Sequence, residues 1–308
     1  MWTDEVDEIL AGDLVAALAC LTSAGGAVVT PVCPLGLHDR HRGTVGFTTS
    51  TGYGRKLDRI AAAGRVAMAF HTRTHGRTNR PGFVLVQGEA SVDTTSAALA
   101  RVVAQASLYL GPPSTGWFWD RWLRAYYQDR VVVWIRVRRI VVHAADGTLG
   151  QVIGEPLVDA APPSQGPPRN GSGPRVDTRR AGRRVAEQPN RLLAYREADG
   201  YPAVVPVDVL AAKTDGLTLR PSWPLPSGDR RAGLLAHSFG PQVVGLAQRL
   251  YTGWLGCGDA VRYAPHTARE LSLPPNKALA LLVNGLVARR GSRPDISPPG
   301  AVAGGARP

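Results

Sequence analysis

The feature that most constrains this chain is an internal repeat. Ala203-Val204-Val205 lies 176 residues beyond Ala27-Val28-Val29, and Gly240-Pro241-Gln242-Val243-Val244 lies the same distance beyond Gly64-Arg65-Val66-Ala67-Met68. At that offset Arg231 falls under Arg55, and Gly228 under Gly52. Further on, RLYTGWL from Arg249 is similar to VLVQGEA from Val84, with Gly253 under Gly88 at an offset of 165. A shortened 71–82 loop would produce that change. One offset held across a strand, a turn and a helix end predicts two copies of one β-rich unit.

The local pattern fills in the unit. Residues 5–21 place Val6, Ile9, Leu10, Leu14, Ala17, Leu18 and Leu21 near helical spacing, which predicts an amphipathic helix. Gly25-Gly26 makes a turn, and AVVTPVC after it reads as a strand whose Pro31 marks an edge or a bulge. HDRHRG at 38–43 reads as a polar hairpin tip. Residues 45–70 then read as strand, polar turn, short helix and buried strand, with Gly64 stopping the helix. Residues 71–82 form a polar loop, and 83–92 a strand with Gly88 at a bulge or close approach. Residues 95–110 form a helix, 117–127 a helix with Trp119, Trp122 and Tyr126 on one face, and 130–142 a long strand with one wet face. Residues 275–290 predict a last helix with basic residues at its C-terminal end.

Composition shifts mark the joints. Pro, Gly and Ser crowd 159–174, so we expect a first domain at 1–150, a linker at 151–175, a second domain at 176–290 and a disordered tail at 291–308. The net charge is +12, but only Lys56, Lys213 and Lys277 are lysines; the rest is arginine in an Ala-, Gly- and Pro-rich background. The densest basic run, 175–184, holds no aromatic, so no nucleic-acid partner is expected. No run is apolar enough to span a membrane, and the acidic N-terminal segment does not read as a signal peptide. Cys20, Cys33 and Cys257 form neither a metal spacing nor a disulfide framework, which points to a reducing cytoplasm. His38 and His41, and likewise His71 and His75, read as loop residues, so no metal is expected.

One corner carries chemistry. Hydroxyls at the end of a strand, free backbone amides in a Gly-rich turn, and Arg55 and Lys56 opening a helix suit an anionic group, most often a phosphate. A solvated hairpin tip followed by a surface helix is the alternative reading of the same residues.

The order AVVTPV, FTTST, RKLDRIAAAGRVAMAF, VLVQGEASV, aromatic helix and RVVVWIRVRRIVV resembles the pyridoxamine 5′-phosphate oxidase-like superfamily. The resemblance spans residues 14–142 and, in degenerate form, 191–263. It implies a mainly β fold with helices (α+β), built here as two tandem split β-barrel units, with flavin held between barrels. Its phosphate ligands fall on Thr48, Thr49, Ser50, Arg55 and Lys56. It implies FMN or deazaflavin as cofactor, with haem the lesser alternative, and a flavin- or deazaflavin-dependent oxidoreductase acting on a small molecule; a non-catalytic flavin- or haem-binding protein is the alternative. In the second copy Ala232 lies beneath Lys56, the Thr-Thr-Ser strand end falls in RPSWPLPSG, and Arg230 and Arg231 keep positive charge. One working site and one altered site are therefore expected. The two copies would imitate a dimer within one chain, with a homodimer also open. No nucleophile–base pair or paired carboxylates stand out, so no catalytic residue is named. Gln87, beside Gly88, is a candidate polar contact to the ring or substrate, with an ordinary strand role as the alternative.

Overall fold

A computed structural model describes residues 2–51, 54–111, 130–276, 278, 279 and 282. Gly52, the aromatic segment at 117–127, most of the helix expected at 275–290 and the tail expected at 291–308 lie outside the described residues.

The chain opens with helix α1, Asp4–Gly12, where the Val6 N–H donates to the Thr3 hydroxyl and the first turn carries three acids, Asp4, Glu5 and Asp7. It stops well short of the helix expected over 5–21. Asp13 turns extended, and its buried carboxylate accepts from Arg73 at 2.7 Å. Residues Ala16–Leu21 are then strand β1. The reason is burial on both faces: Ala16, Leu18 and Cys20 enter one core while Ala17 and Ala19 enter another. A strand apolar on both sides loses its alternation and mimics helical spacing.

Strands β2 (Ala27–Val32), β3 (His38–Asp39) and β4 (Thr44–Ser50) lead to helix α2, Gly54–Ala63. Gly64, at φ 62°, ends α2 in the left-handed conformation. Strands β5 (Arg65–Phe70) and β6 (Phe83–Asp93), helix α3 (Ser96–Leu110, capped by Thr95) and β7 (Arg130–His143) follow. Strand β8, Leu149–Gly154, pairs with β7, so the stretch expected to be linker from 151 begins as part of the first sheet. The strand order is β2-β1-β5-β6-β7-β4-β3, and a bridge from Cys33 to Thr48 brings β2 back to β4. Pro31 sits on β2, whose ladder within this sheet is with β1, as a proline at a sheet edge requires.

The second unit has helix α4 (Thr178–Ala186) and strands β9 (Asn190–Arg196), β10 (Pro202–Lys213), β11 (Gly216–Pro221), β12 (Gly228–Ser238), β13 (Ala247–Cys257) and β14 (Val261–Ser272). They close a barrel in the order β10-β11-β14-β13-β12-β9. Written around the ring, the two orders are the same: β1 matches β9, β2 matches β10, β4 matches β11, and β5, β6 and β7 match β12, β13 and β14. The chain is mainly β, two split β-barrel units in tandem.

The registers refine the repeat. Gly88 and Gly253 both sit at a β-bulge, where an added Cβ would collide with the carbonyl oxygen of Arg136 or Ala264 on the neighbouring strand. The offset of 165 at this pair therefore holds. Followed from that bulge, Pro206 falls under Pro31 and Val207 under Val32, an offset of 175 and not 176. The core agrees: Val32 and Val207 both enter a barrel interior, while Val29 and Val204 both face the other barrel. A slip of one residue would reverse those faces. The proposed match of 240–244 to 64–68 is overturned. Residues 240–244 form a short turn, and the counterpart of β5 is β12, so Arg231 corresponds to Arg65 rather than Arg55. The connection from β11 to β12 has no helix, so α2 and its three cations, Arg55, Lys56 and Arg59, belong to the first unit alone.

Each barrel has its own core, around Phe47, Phe70 and Ile135 in the first and Tyr195, Leu234 and Tyr263 in the second. A third cluster joins them, built from small residues of the first unit (Ala17, Ala19, Ala67, Ala69) and Leu192, Ala194, Val204 and Leu235 of the second. Small side chains let the two sheets approach closely: Gly233 lies against the backbone of Ala27 and Val28.

A basic cleft between the barrels and its sealed twin

A cleft of about 870 Å³ opens where the β1–β2 hairpin and the start of α2 face β12, β13 and β14. The first unit contributes Thr22, Ala24, Gly26, Thr30, Arg55, Lys56 and Arg59. The second contributes Arg231, Leu250, Thr252, Gly253, His266, Thr267, Arg269 and Glu270, with Arg175 from the segment that joins the units. Six of these side chains are permanently or normally cationic. Of the two other ionisable groups, Glu270 lies 3.6 Å from Arg249, and His266 Nε2 is 3.2 Å from the Ser172 carbonyl oxygen. The cleft is therefore positive from both walls, with an apolar patch of Ala27, Val28 and Leu250 between them.

Of the residues expected to hold a phosphate, Arg55 and Lys56 line this cleft. Thr48, Thr49 and Ser50 do not; they are buried at the end of β4. The Thr48 hydroxyl donates to the Val131 carbonyl at 3.3 Å and accepts from Arg130 Nε at 3.1 Å, so it serves the barrel wall. Lys56 lies across the barrel mouth, its Nζ 5.9 Å from the centre of the Phe47 ring. Burial draws its pKa down to about 8, and burial raises the thiols of nearby Cys20 and Cys33. Lys56 thus has one foot in the cleft and one in the barrel. Arg59, Arg175 and Arg269 were not picked out from sequence; a helical i, i+4 relation to Arg55 was the available signal for Arg59.

Gln87 has protein partners, in keeping with the structural alternative given for it. It is buried, and its amide donates to Glu197 at 3.0 Å and to the Pro202 carbonyl at 2.7 Å. Arg139 donates to Gln87, to Glu197 at 3.2 Å and to Asp199 at 2.5 Å. Tyr201 lies under the Arg65 guanidinium, 5.2 Å from ring centre to cation. Here the β9–β10 hairpin faces β5, β6 and β7, which is the mirror of the open cleft's arrangement. At this twin position a buried ionic network stands where the open cleft has space. Burial pushes the Glu197 carboxyl above its usual range, while Gln87 and Arg139 pull it down.

A second polar contact also crosses between units: His71 Nε2 and His237 Nε2 lie 2.8 Å apart, with His237 fully buried. His71 therefore belongs to the interface and is more than a loop residue. Among the described residues no cluster of three metal-binding side chains is present.

Fold and cleft together define the class: two split β-barrel units in tandem, with a basic cleft between them. No family model and no curated protein matches this sequence. Similar solved structures include a conserved hypothetical protein from Mycobacterium tuberculosis, at 20% identity over 47% of this chain and 86% of that one, with a TM-score of 0.37. An F420 reductase is 21% identical over 44% of this chain and 94% of its own, with a TM-score of 0.34. A Clostridium acetobutylicum protein related to general stress protein 26, of the pyridoxinephosphate oxidase family, is 10% identical over 46% of this chain and 86% of its own, with a TM-score of 0.33. Each spans less than half of this chain. Among the described residues no helix is long and apolar enough to cross a membrane.

Proposed function

We propose that the chain is a flavin- or deazaflavin-dependent oxidoreductase acting on a small molecule, and that its cofactor lies in the cleft between the barrels. The observation that carries this reading is the cleft itself: about 870 Å³, walled by Arg55, Lys56 and Arg59 on one side and Arg231 and Arg269 on the other. That volume falls in the range of small-molecule and cofactor sites. The donor set fits a ligand with a phosphate at one end: three cations at the first turns of α2 meet the positive end of the helix dipole. The apolar patch of Ala27, Val28 and Leu250 offers a surface for a ring. When bound, such a cofactor supplies the hydride or electron transfer, and this chain's residues bind, orient and exclude water. The engagement of Glu270 and His266 by protein partners agrees with a site whose chemistry is not protein acid–base work.

The test is a spectrum and a titration. Purified protein should bind FMN or the deazaflavin F420 with a shift in visible absorption, and the Arg55→Ala/Lys56→Ala variant should bind roughly tenfold more weakly or worse, the scale of one or two lost charge-assisted contacts. Absence of binding to both by the wild type would end the reading. The same engagement of Glu270 and His266 favours a second reading, a carrier that binds without turnover. Steady reduction of an acceptor by the loaded protein, with NADPH or reduced deazaflavin as donor, would dismiss it.

A further inference from the structure

The open cleft and the sealed network occupy equivalent places in the two halves, and they can be compared residue by residue. The hairpins superimpose in hydrogen bonding. Thr22 N–H donates to Gly26 O and Gly25 N–H to Thr22 O; Glu197 N–H donates to Tyr201 O and Gly200 N–H to Glu197 O. Gly25 and Gly200 share the left-handed conformation, at φ 76° and 85°. Thr22 therefore matches Glu197, Ala24 matches Asp199 and Gly26 matches Tyr201. On the facing strands the shared bulge matches Thr252 to Gln87 and Thr267 to Arg139. At all five positions the sealed side has the larger residue, and all five small counterparts line the open cleft. The remaining pair confirms the frame: Arg65 stacks on Tyr201, whereas its counterpart Arg231, facing Gly26, turns to Gln165 at 3.3 Å and lies over Trp254.

We propose that the chain holds one ligand, not two, and that Thr252 and Thr267 determine what fits. This rests on the cofactor reading above. Their hydroxyls lie 2.6 Å apart on β13 and β14, where both residues line the cleft, each able to donate and accept. They are uncharged, and they stand where the sealed side has a guanidinium and an amide. Such a pair suits a neutral ring edge carrying alternating C=O and N–H groups, while the arginines and Lys56 take the anionic end. The sealed side is excluded from binding because its space is filled by Gln87, Arg139, Glu197 and Asp199, which satisfy one another.

The experiment transplants the plug. In the full chain, Thr22→Glu, Ala24→Asp, Thr252→Gln and Thr267→Arg together supply the open cleft with the four side chains of the sealed one, including the carboxylates that the new arginine needs. Titrated with FMN and F420 and followed by fluorescence and calorimetry, the wild type should bind one equivalent per chain. The transplant, with circular dichroism unchanged, should bind roughly a hundredfold more weakly, since the ligand must expel packed side chains. The Thr252→Val/Thr267→Val variant keeps the shape, guards against misfolding of the transplant, and should bind about tenfold more weakly through lost hydrogen bonds. Two equivalents per wild-type chain would overturn the single-site inference, and undiminished binding by the folded transplant or by the valine pair would overturn the role of the threonines. Each of these leaves the cofactor reading standing; a wild type that binds neither flavin removes both.

Discussion

Acid should loosen the joint between the barrels through His71 and His237. The His71 Nδ1–H donates to the Ala69 carbonyl at 3.1 Å, so its Nε2 accepts, and His237 Nε2–H must be the donor across the 2.8 Å contact. Protonating His71 would set two N–H groups against each other. Burial lowers the His71 pKa from 6.5 to about 4, and burial together with His71 lowers His237 in the same direction. Because the folded values lie below the unfolded one, the unfolded chain takes up protons first. The stability held by the neutral pair is complete above pH 6.5 and falls as the pH drops toward 4. At pH 5 the loss from His71 is at most about 2 kcal/mol, from 1.5 pH units at about 1.4 kcal/mol each, and its partial exposure makes that a ceiling. Asp13 works the other way. Burial raises it to about 7, so it takes up a proton in the folded state and gains stability over the same range. The wild-type pH profile alone therefore mixes the two. Urea unfolding of wild type and of a His71→Gln/His237→Gln variant at pH 7, 6 and 5 separates them, since Asp13 is common to both. The stability advantage of the wild type should shrink toward pH 5, by up to about 2 kcal/mol from His71, with His237 adding in the same direction. A constant difference between the two proteins would refute the argument.

Arg139→Met should cost about 3–5 kcal/mol at pH 7 by leaving Glu197 and Asp199 buried without their cation, and the loss should ease on acidification as Glu197 protonates. Denaturant titrations at pH 7 and 5 measure both effects. Gly88→Ala and Gly253→Ala should each destabilise by roughly 1–3 kcal/mol, because an added methyl meets a strand carbonyl at the bulge; comparable losses of melting temperature would check that the bulges are equivalent. Cys20, with its thiol raised by burial to about 11, should resist iodoacetamide at pH 7.5 in the native protein and react on unfolding, as peptide mapping would detect.

Much of the fold could be read from the chain, for identifiable reasons. The strand–helix–strand segment at β4, α2 and β5 carries its own punctuation in Gly64, and Gly88 announced its bulge because no side chain fits there. β1 misled because a strand buried on both faces shows no alternation, and its leucines happen to fall at helical spacing. The repeat was visible, but its register failed at 240–244: a glycine followed closely by valines in a turn imitated Gly64 and the start of β5, and no α2 counterpart stands before β12 to fix the spacing. At the site, cations opening a helix were legible, since helix position and charge are both local. The partners across the cleft were not. Arg231, Thr252, Thr267 and Arg269 face Arg55 and Lys56 only through the packing of one barrel on the other. Glu197 and Asp199 sit at the β9–β10 hairpin, and only tertiary structure gives them Arg139.

The covalent link between the barrels has a consequence for how such a cleft can change. In a dimer of identical subunits each substitution appears twice, so a residue that fills one cleft fills its mate. Here Glu197 and Asp199 could arise in one hairpin while Thr22 and Ala24 stayed in the other. The tether also fixes the local concentration of one wall relative to the other, so the cleft persists at dilutions where separate subunits would part. Copying followed by fusion thus lets one half fill its cleft with packed, mutually satisfied side chains while the other half keeps its opening.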